Sequence, residues 1–365
     1  MKALVIGGTG PTGHLIVNGL IRRGYHVAML HTGRHEVDEI PPEVEHIHTD
    51  PFSEDALKQA LGNRTFDLTL AAYGRLRRIA NVMIGRTGRF VSIGGAPAYR
   101  GYMNPNVLQP RGMPMPASED ADLVPIEAED AKGWRVAQTE QAVFDVHPTA
   151  THFRYPYLYG PYQIGPREWC VVRRILDGRR SIIVPEDGLS LNHSGYVDNV
   201  AHAVLLAIDQ PEASSGQIYN CGDSRLLTIR QIIETICESL SYELEIVSMP
   251  ARFAVSARPM LAQPWMNHRV LDLSKLKSQL GYTDLVSPEL GRAITARWLK
   301  RHPLPAGGTD EKILQDPFDY EAEDQIIAAW KSLCEKMPDV KFAREPGYTA
   351  TYSGPGGKPR SGKWS

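Results

Sequence analysis

A glycine triplet, Gly7-x-x-Gly10-x-x-Gly13, stands between a short apolar run, Lys2 to Ile6, and a helical pattern carried by Leu15, Ile16, Leu20 and Ile21. No other feature restricts the chain as much. A buried strand that ends in glycine and turns at once into a helix brings backbone N–H groups and the positive helix end to one spot. The first glycine permits a tight turn, the middle one lets phosphates approach the backbone, and the third lets helix pack on strand. Gly24 stops the helix, and Tyr25 to Leu30 reads as the next strand. Further strands are expected at Glu45–His48, Asp67–Ala71, Arg89–Ile93 and Thr151–Tyr155, with a helix from about Asp130 to Val146. Such alternation implies a parallel sheet covered by helices on both faces.

The expected fold class is therefore α/β, a Rossmann-type doubly wound parallel sheet with a smaller C-terminal substrate lobe and a helical extension. A chain of 365 residues is too long for one ordinary core. Residues 1–160 are expected to form the dinucleotide-binding domain, completed by later segments. Residues 161–305 mainly supply the substrate lobe, with Ser181–Val184, Leu244–Pro250 and the helix Ile229–Ser239. Residues 306–365 read as a linker, an amphipathic helix near Asp319–Lys336 and, from Tyr348, a Gly- and Pro-rich stretch that is either a mobile tail or an arm ordering on another subunit. In that helix Ile326, Ile327, Trp330 and Leu333 share a face.

Charge is balanced, 40 basic against 42 acidic residues, so nothing pulls the protein toward nucleic acid or an anionic membrane. The basic tail Lys358 to Lys363 reads as solvated. No apolar stretch approaches the roughly 20 residues of a membrane helix, and the run Ala3 to Ile6 is too short for a leader. Cys170, Cys221, Cys237 and Cys334 lie far apart without CxxC spacing, as reduced, mostly buried thiols of a cytoplasmic protein do. The expected partners are a small-molecule substrate and further copies of the chain, with neither membrane nor nucleic acid.

The glycine turn assigns Gly7, Thr9, Gly10, Pro11, Thr12 and Gly13 to a dinucleotide pyrophosphate. At the end of the second strand an NAD site usually places an acidic residue. Here Leu30-His31-Thr32-Gly33-Arg34-His35 has no carboxylate before Glu36. A hydroxyl and a basic residue suit a 2′-phosphate, so NADP(H) is favoured over NAD(H), with His31, Thr32 and Arg34 beside it. Asp50, after the third strand, is placed to accept from an adenine amino group, although Pro51 lacks the N–H for a second bond. Ala71, Tyr73, Gly94, Gln138, Tyr155 and Pro156 complete the expected cofactor contacts.

Further motifs occur in a fixed order: Arg154-Tyr155-Pro156-Tyr157-Leu158-Tyr159-Gly160-Pro161, then Tyr196-Val197-Asp198-Asn199-Val200-Ala201 and Tyr219-Asn220-Cys221-Gly222. Asp272-Leu273-Ser274-Lys275 and Leu280-Gly281-Tyr282 follow. With GGTGPTG at the start, the chain over about residues 1–300 resembles the NAD-dependent epimerase/dehydratase family, the extended short-chain dehydrogenases. That resemblance implies a Ser/Thr, Tyr and Lys triad with the last two spaced YxxxK. In such a triad the tyrosine exchanges a proton with the substrate oxygen, and the lysine lowers its pKa. No tyrosine here has a lysine four positions later. The matching positions read Gly95, Trp134 and Gln138. An indole N–H donates a hydrogen bond but no useful proton near neutral pH.

Replacement chemistry is expected from the loop after the fifth strand, which offers Tyr99, Arg100, Tyr102 and Glu119, and from the Tyr155–Tyr159 segment. Tyr102, Glu119 and Tyr157 are the catalytic candidates. His193 is a further titratable group. His46-x-His48 puts two rings on one face of a strand, and without a third ligand nearby no metal site is expected there. The resulting expectation is an NADP(H)-dependent reductase, epimerase or lyase with a non-standard acid/base. The alternative is a dinucleotide-binding sensor, scaffold or RNA-associated protein without turnover.

Overall fold

The computed structural model describes residues 1–72 and 75–346. Its strands in chain order are β1 (Lys2–Ile6), β2 (His26–His31), β3 (Glu45–His48), β4 (Phe66–Ala71), β5 (Thr87–Gly95), β6 (Thr151–Tyr155), β7 (Tyr157–Tyr159), β8 (Ser181–Pro185), β9 (Ser194–Tyr196), β10 (Ile218–Asn220) and β11 (Glu245–Met249). Seven of them form one parallel sheet in the order β10-β6-β5-β4-β1-β2-β3. The order reverses beside β1, where the glycine turn leaves the sheet.

Alternation along the strands decides which layer each residue joins. Ala3, Val5 and Met29 face Ile16, Val17 and Leu20 of helix α1 (Gly13–Arg22), together with Val200 and Val204. Leu4, Ile6 and Leu30 face the other way, onto Leu57 of α2 (Glu54–Leu61), Ile79 of α3 (Leu76–Val82) and Val143 of α4 (Ala131–Val146). Residues on both faces are buried, so β1 reads as a continuous apolar run. Asp130 caps α4, accepting from the N–H groups of Lys132 and Gly133.

The smaller lobe holds two parallel pairs, β8 with β11 and β7 with β9. Helix α5 (Trp169–Leu176) belongs to it, while α6 (Val197–Asp209) returns to the sheet. The described residues up to Asp319 form one compact unit, and those from Tyr320 a second, which begins with the helix Tyr320–Glu335. The extension expected from residue 306 thus starts later. Glu311 accepts from the Trp169 indole at 3.0 Å and pairs with Arg173 at 2.7 Å, and Asp316 pairs with Arg174 at 2.8 Å. These bonds tie the stretch before residue 320 into the first unit. The tail expected from Tyr348 lies outside the described residues. All four cysteines are free, and only Cys334 is exposed. Among the described residues no helix is long and apolar enough to cross a membrane.

Candidate functional site

The glycine turn has the geometry its spacing implies. Gly7 adopts φ +91°, the left-handed region that favours glycine, and its N–H reaches Leu30 O at 3.1 Å. A Cβ on Gly13 would lie 2.2 Å from Gly8 O, so only hydrogen fits where α1 meets the turn. A Cβ on Gly10 would meet nothing nearer than Gly7 O at 3.5 Å. That leaves open space above Thr9, Gly10 and Pro11, which are part-exposed. Thr12 is buried at the start of α1, its Oγ1 3.4 Å from the Tyr155 hydroxyl. These residues fit a dinucleotide pyrophosphate.

The other expected cofactor residues divide. Ala71 ends β4, and Tyr155 and Pro156 follow one another at the end of β6. Tyr73 lies outside the described residues. Gly94 is explained by packing, since a Cβ there would sit 2.4 Å from His152 Nε2. Asp50 uses Oδ1 to accept from the Phe52 N–H at 2.9 Å, closing its own turn. Arg34 is exposed, and its guanidinium makes no hydrogen bond or ion pair among the described residues. His31 is buried, and burial lowers its pKa. Glu36 folds back from the loop toward His31, His46 and His48. The expectation that His46-x-His48 has no third potential ligand nearby is thus corrected, since His31 and Glu36 lie within 4.8 Å of the pair.

A cavity of about 250 Å³ opens beyond the carboxyl ends of β5 and β6, where open α/β sheets bind their ligands. Tyr102, Lys132, Tyr155, Tyr157, Arg167 and Arg269 line it. Of the catalytic candidates, Tyr102 and Tyr157 reach this cavity and Glu119 does not. Glu119 Oε1 accepts from the Asn220 N–H at 2.8 Å and so braces β10. Tyr157 is committed as well: its hydroxyl accepts from the Arg167 N–H at 2.5 Å and donates to Gly165 O at 3.3 Å. Burial pushes its pKa up. No hydrogen bond engages the Tyr102 hydroxyl among the described residues.

Gly95 ends β5, and Trp134 and Gln138 sit one turn apart on α4. Trp134 is half-buried and Gln138 exposed; neither lines the cavity, whereas Lys132 of the same helix does. The helix is held close to the preceding turn, since a Cβ on Gly133 would lie 2.5 Å from Pro97 O. His193 lines the cavity but is spoken for. Its Nδ1 accepts from the Leu271 N–H at 3.0 Å and its Nε2 donates to Asp223 O at 3.1 Å. Burial holds it neutral, with a pKa down at about 4, so it does not titrate near neutral pH.

The arginines went unread in the sequence, because nothing local marks them. Arg269 donates to Asn192 Oδ1 and Leu261 O, and Arg167 donates to Leu261 O. Neither makes an ion pair among the described residues. Burial pulls Arg269 down to about 10, with neighbouring Arg167 adding to the fall. Arg292 differs, pairing with Glu168 and lying 3.4 Å from the Tyr159 ring centroid. Glu168 Oε2 and Asn192 Nδ2 are buried atoms without a hydrogen-bond partner, and both residues line the cavity.

Comparison with known proteins agrees with this geometry. Residues 137–222 match the NAD dependent epimerase/dehydratase family. The uncharacterized protein YbjS of Escherichia coli is 24% identical over 46% of this chain and 56% of its own length, so the chain spans little more than half of that relative. The chloroplast stem-loop binding protein of 41 kDa b from Arabidopsis thaliana is 23% identical over 77% of this chain and 74% of its own. UDP-glucose 4-epimerase from Thermotoga maritima, solved with UDP-glucose, superposes with a TM-score of 0.66 at 20% identity, covering 83% of this chain and 99% of that one. Residues 137–222 thus resemble the NAD dependent epimerase/dehydratase family, and the chain shares the fold of the solved epimerase.

Proposed function

We propose that the protein is an NADP(H)-preferring enzyme that reduces, epimerises or eliminates on a small organic substrate bearing an anionic group. The observation that carries this reading is the pair Arg167 and Arg269. Two guanidiniums line one cavity, and neither has a carboxylate partner among the described residues. Charge buried in this way is costly until a counter-charge arrives, and a phosphate or carboxylate of the substrate supplies it bidentately. Unpaired Glu168 Oε2 and Asn192 Nδ2 offer an acceptor and a donor to its polar groups. A nucleoside diphosphate sugar, the ligand of the Thermotoga structure, has both features.

When bound, the nicotinamide supplies hydride exchange. The chain's own residues hold the substrate, exclude water and move a proton. Tyr102 is the cavity tyrosine whose hydroxyl is uncommitted, so we assign it the proton transfer that a YxxxK tyrosine performs elsewhere. Tyr157, bonded at both ends of its O–H, keeps a positioning role.

The test titrates the NADPH-loaded full chain with UDP-glucose, UDP and glucose. UDP-glucose and UDP should saturate and glucose should not, and Arg269→Gln should weaken UDP binding at least about tenfold. Equal binding of glucose, or unchanged binding in Arg269→Gln, overturns the reading. Once a turned-over sugar nucleotide is found, Tyr102→Phe should lower turnover by roughly 10²–10⁴-fold.

A further inference from the structure

The end of β2 and the neighbouring edge strand β3 carry a cluster that the dinucleotide site does not explain. Strand register sets His31 directly opposite His48, and His46 lies two residues back on the same face. Glu36 returns from the loop after β2. His31 Nε2 is 3.1 Å from His46 Nδ1 and 3.8 Å from Glu36 Oε1. Glu36 Oε2 lies 3.3 Å from His46 Nδ1, and its Oε1 lies 3.3 Å from His48 Nε2. All four ligand atoms fall within 4.8 Å of one another.

We propose that His31, Glu36, His46 and His48 form a binding site for a divalent transition-metal ion of the zinc class. Zinc–nitrogen and zinc–oxygen bonds of about 2.0–2.2 Å give a tetrahedron with edges of roughly 3.3–3.5 Å. The separations of 3.1–3.8 Å given above bracket that length, and every other pair lies within 4.8 Å, so side-chain shifts of about an ångström close the tetrahedron. Three imidazoles and one carboxylate suit zinc, cobalt or nickel and not magnesium or calcium, which take oxygen ligands.

Access and support are both present. His31 is 4% exposed and forms the floor, while Glu36 at 47% and His48 at 55% leave the site open to entering ions. Gly33, at φ +71°, brings the loop onto the His48 ring; a Cβ there would lie 3.2 Å from His48 Cγ. Binding at His31 Nε2 moves that ring's proton to Nδ1 and gives up one long contact, the Gly33 N–H at 3.3 Å. The bound ion would clamp the edge strand to its neighbour and fix the loop of residues 32–36.

The experiment uses the full chain, stripped by chelator and free of dinucleotide. Titration with Co²⁺ should give the strong visible absorption of a four-coordinate site, saturating at one equivalent, displaced by Zn²⁺ and not by Mg²⁺. Zn²⁺ should raise the melting temperature. His48→Ala, at an exposed position, and Glu36→Gln should each weaken Co²⁺ at least about tenfold while the metal-free protein melts as before. Absorption typical of a six-coordinate, water-rich ion, or affinity unchanged in the double variant His46→Ala/His48→Ala, overturns the assignment. So does the absence of saturable binding.

Discussion

Arg34 stands on an exposed turn with an uncommitted guanidinium, and the nearest carboxylate along the chain, Glu36, is drawn to His46 and His48. On the proposed NADP(H) reading, this uncommitted cation at the end of β2 is the partner of the 2′-phosphate. Arg34→Ala should weaken NADPH by about tenfold or more, the scale of a lost charge-assisted bond, and leave NADH nearly unchanged. Fluorescence titration of both cofactors decides this; equal losses would remove the 2′-phosphate assignment. What the sequence shows at this scale depends on distance along the chain. The glycine turn was legible because strand, turn and helix are contiguous. His46 and His48 were legible as a pair through strand alternation. Their company with His31 and Glu36 was not, because it arises from the β2–β3 register, and register is a property of pairing between segments. Glu119 misled for the same reason, since its partner, the Asn220 N–H, lies 101 positions away.

Between elements, the firmest tie joins α4 to β6. Arg154 donates to Glu140 through both Nε at 2.8 Å and Nη2 at 2.7 Å, and to the Tyr99 hydroxyl at 2.8 Å. His152 stands beside them, its Nδ1 2.7 Å from Ser92 Oγ and its Nε2 3.4 Å from Glu140. Ser92, His152 and Glu140 have the order of a hydrolytic triad, yet Ser92 and His152 are 0% exposed and no substrate reaches them. They hold layers together. Glu140→Ala leaves Arg154 buried without its carboxylate and should cost about 3–5 kcal/mol, read as a lower urea midpoint. Burial pushes Glu140 upward, but Arg154 and His152 outweigh it and hold the carboxyl below its usual range. Burial also lowers His152 to about 4 from an ordinary 6.5. Below about pH 6.5 the unfolded chain then binds a proton that the native chain refuses, so stability falls as pH drops toward about 4 and is flat above neutrality. A urea midpoint constant from pH 7 to about pH 4.5 would contradict a neutral, buried His152.

For the whole molecule, the alternation of apolar runs and helical patterns foretold the parallel sheet, and the strand expectations fall within a residue or two of the observed ones. The later returns to the sheet were harder to read. β10 is three residues long and joins β6 through Ile218↔His152 and Asn220↔Arg154, a pairing no local pattern announces. The arginines of the cavity came from three separate stretches of chain for the same reason. Their gathering has a kinetic consequence. The protein as a whole is nearly neutral, at a formal −2, yet four basic side chains face the cavity against the single carboxylate of Glu168. Field lines from such a recess reach into solvent and draw anions in, over a range set by a Debye length of about 8 Å at physiological salt. Capture of UDP-glucose should then slow steeply as potassium chloride is raised, with its escape rate little altered. In stopped-flow mixing, a capture rate indifferent to salt would mean that the guanidiniums act only after the ligand has arrived.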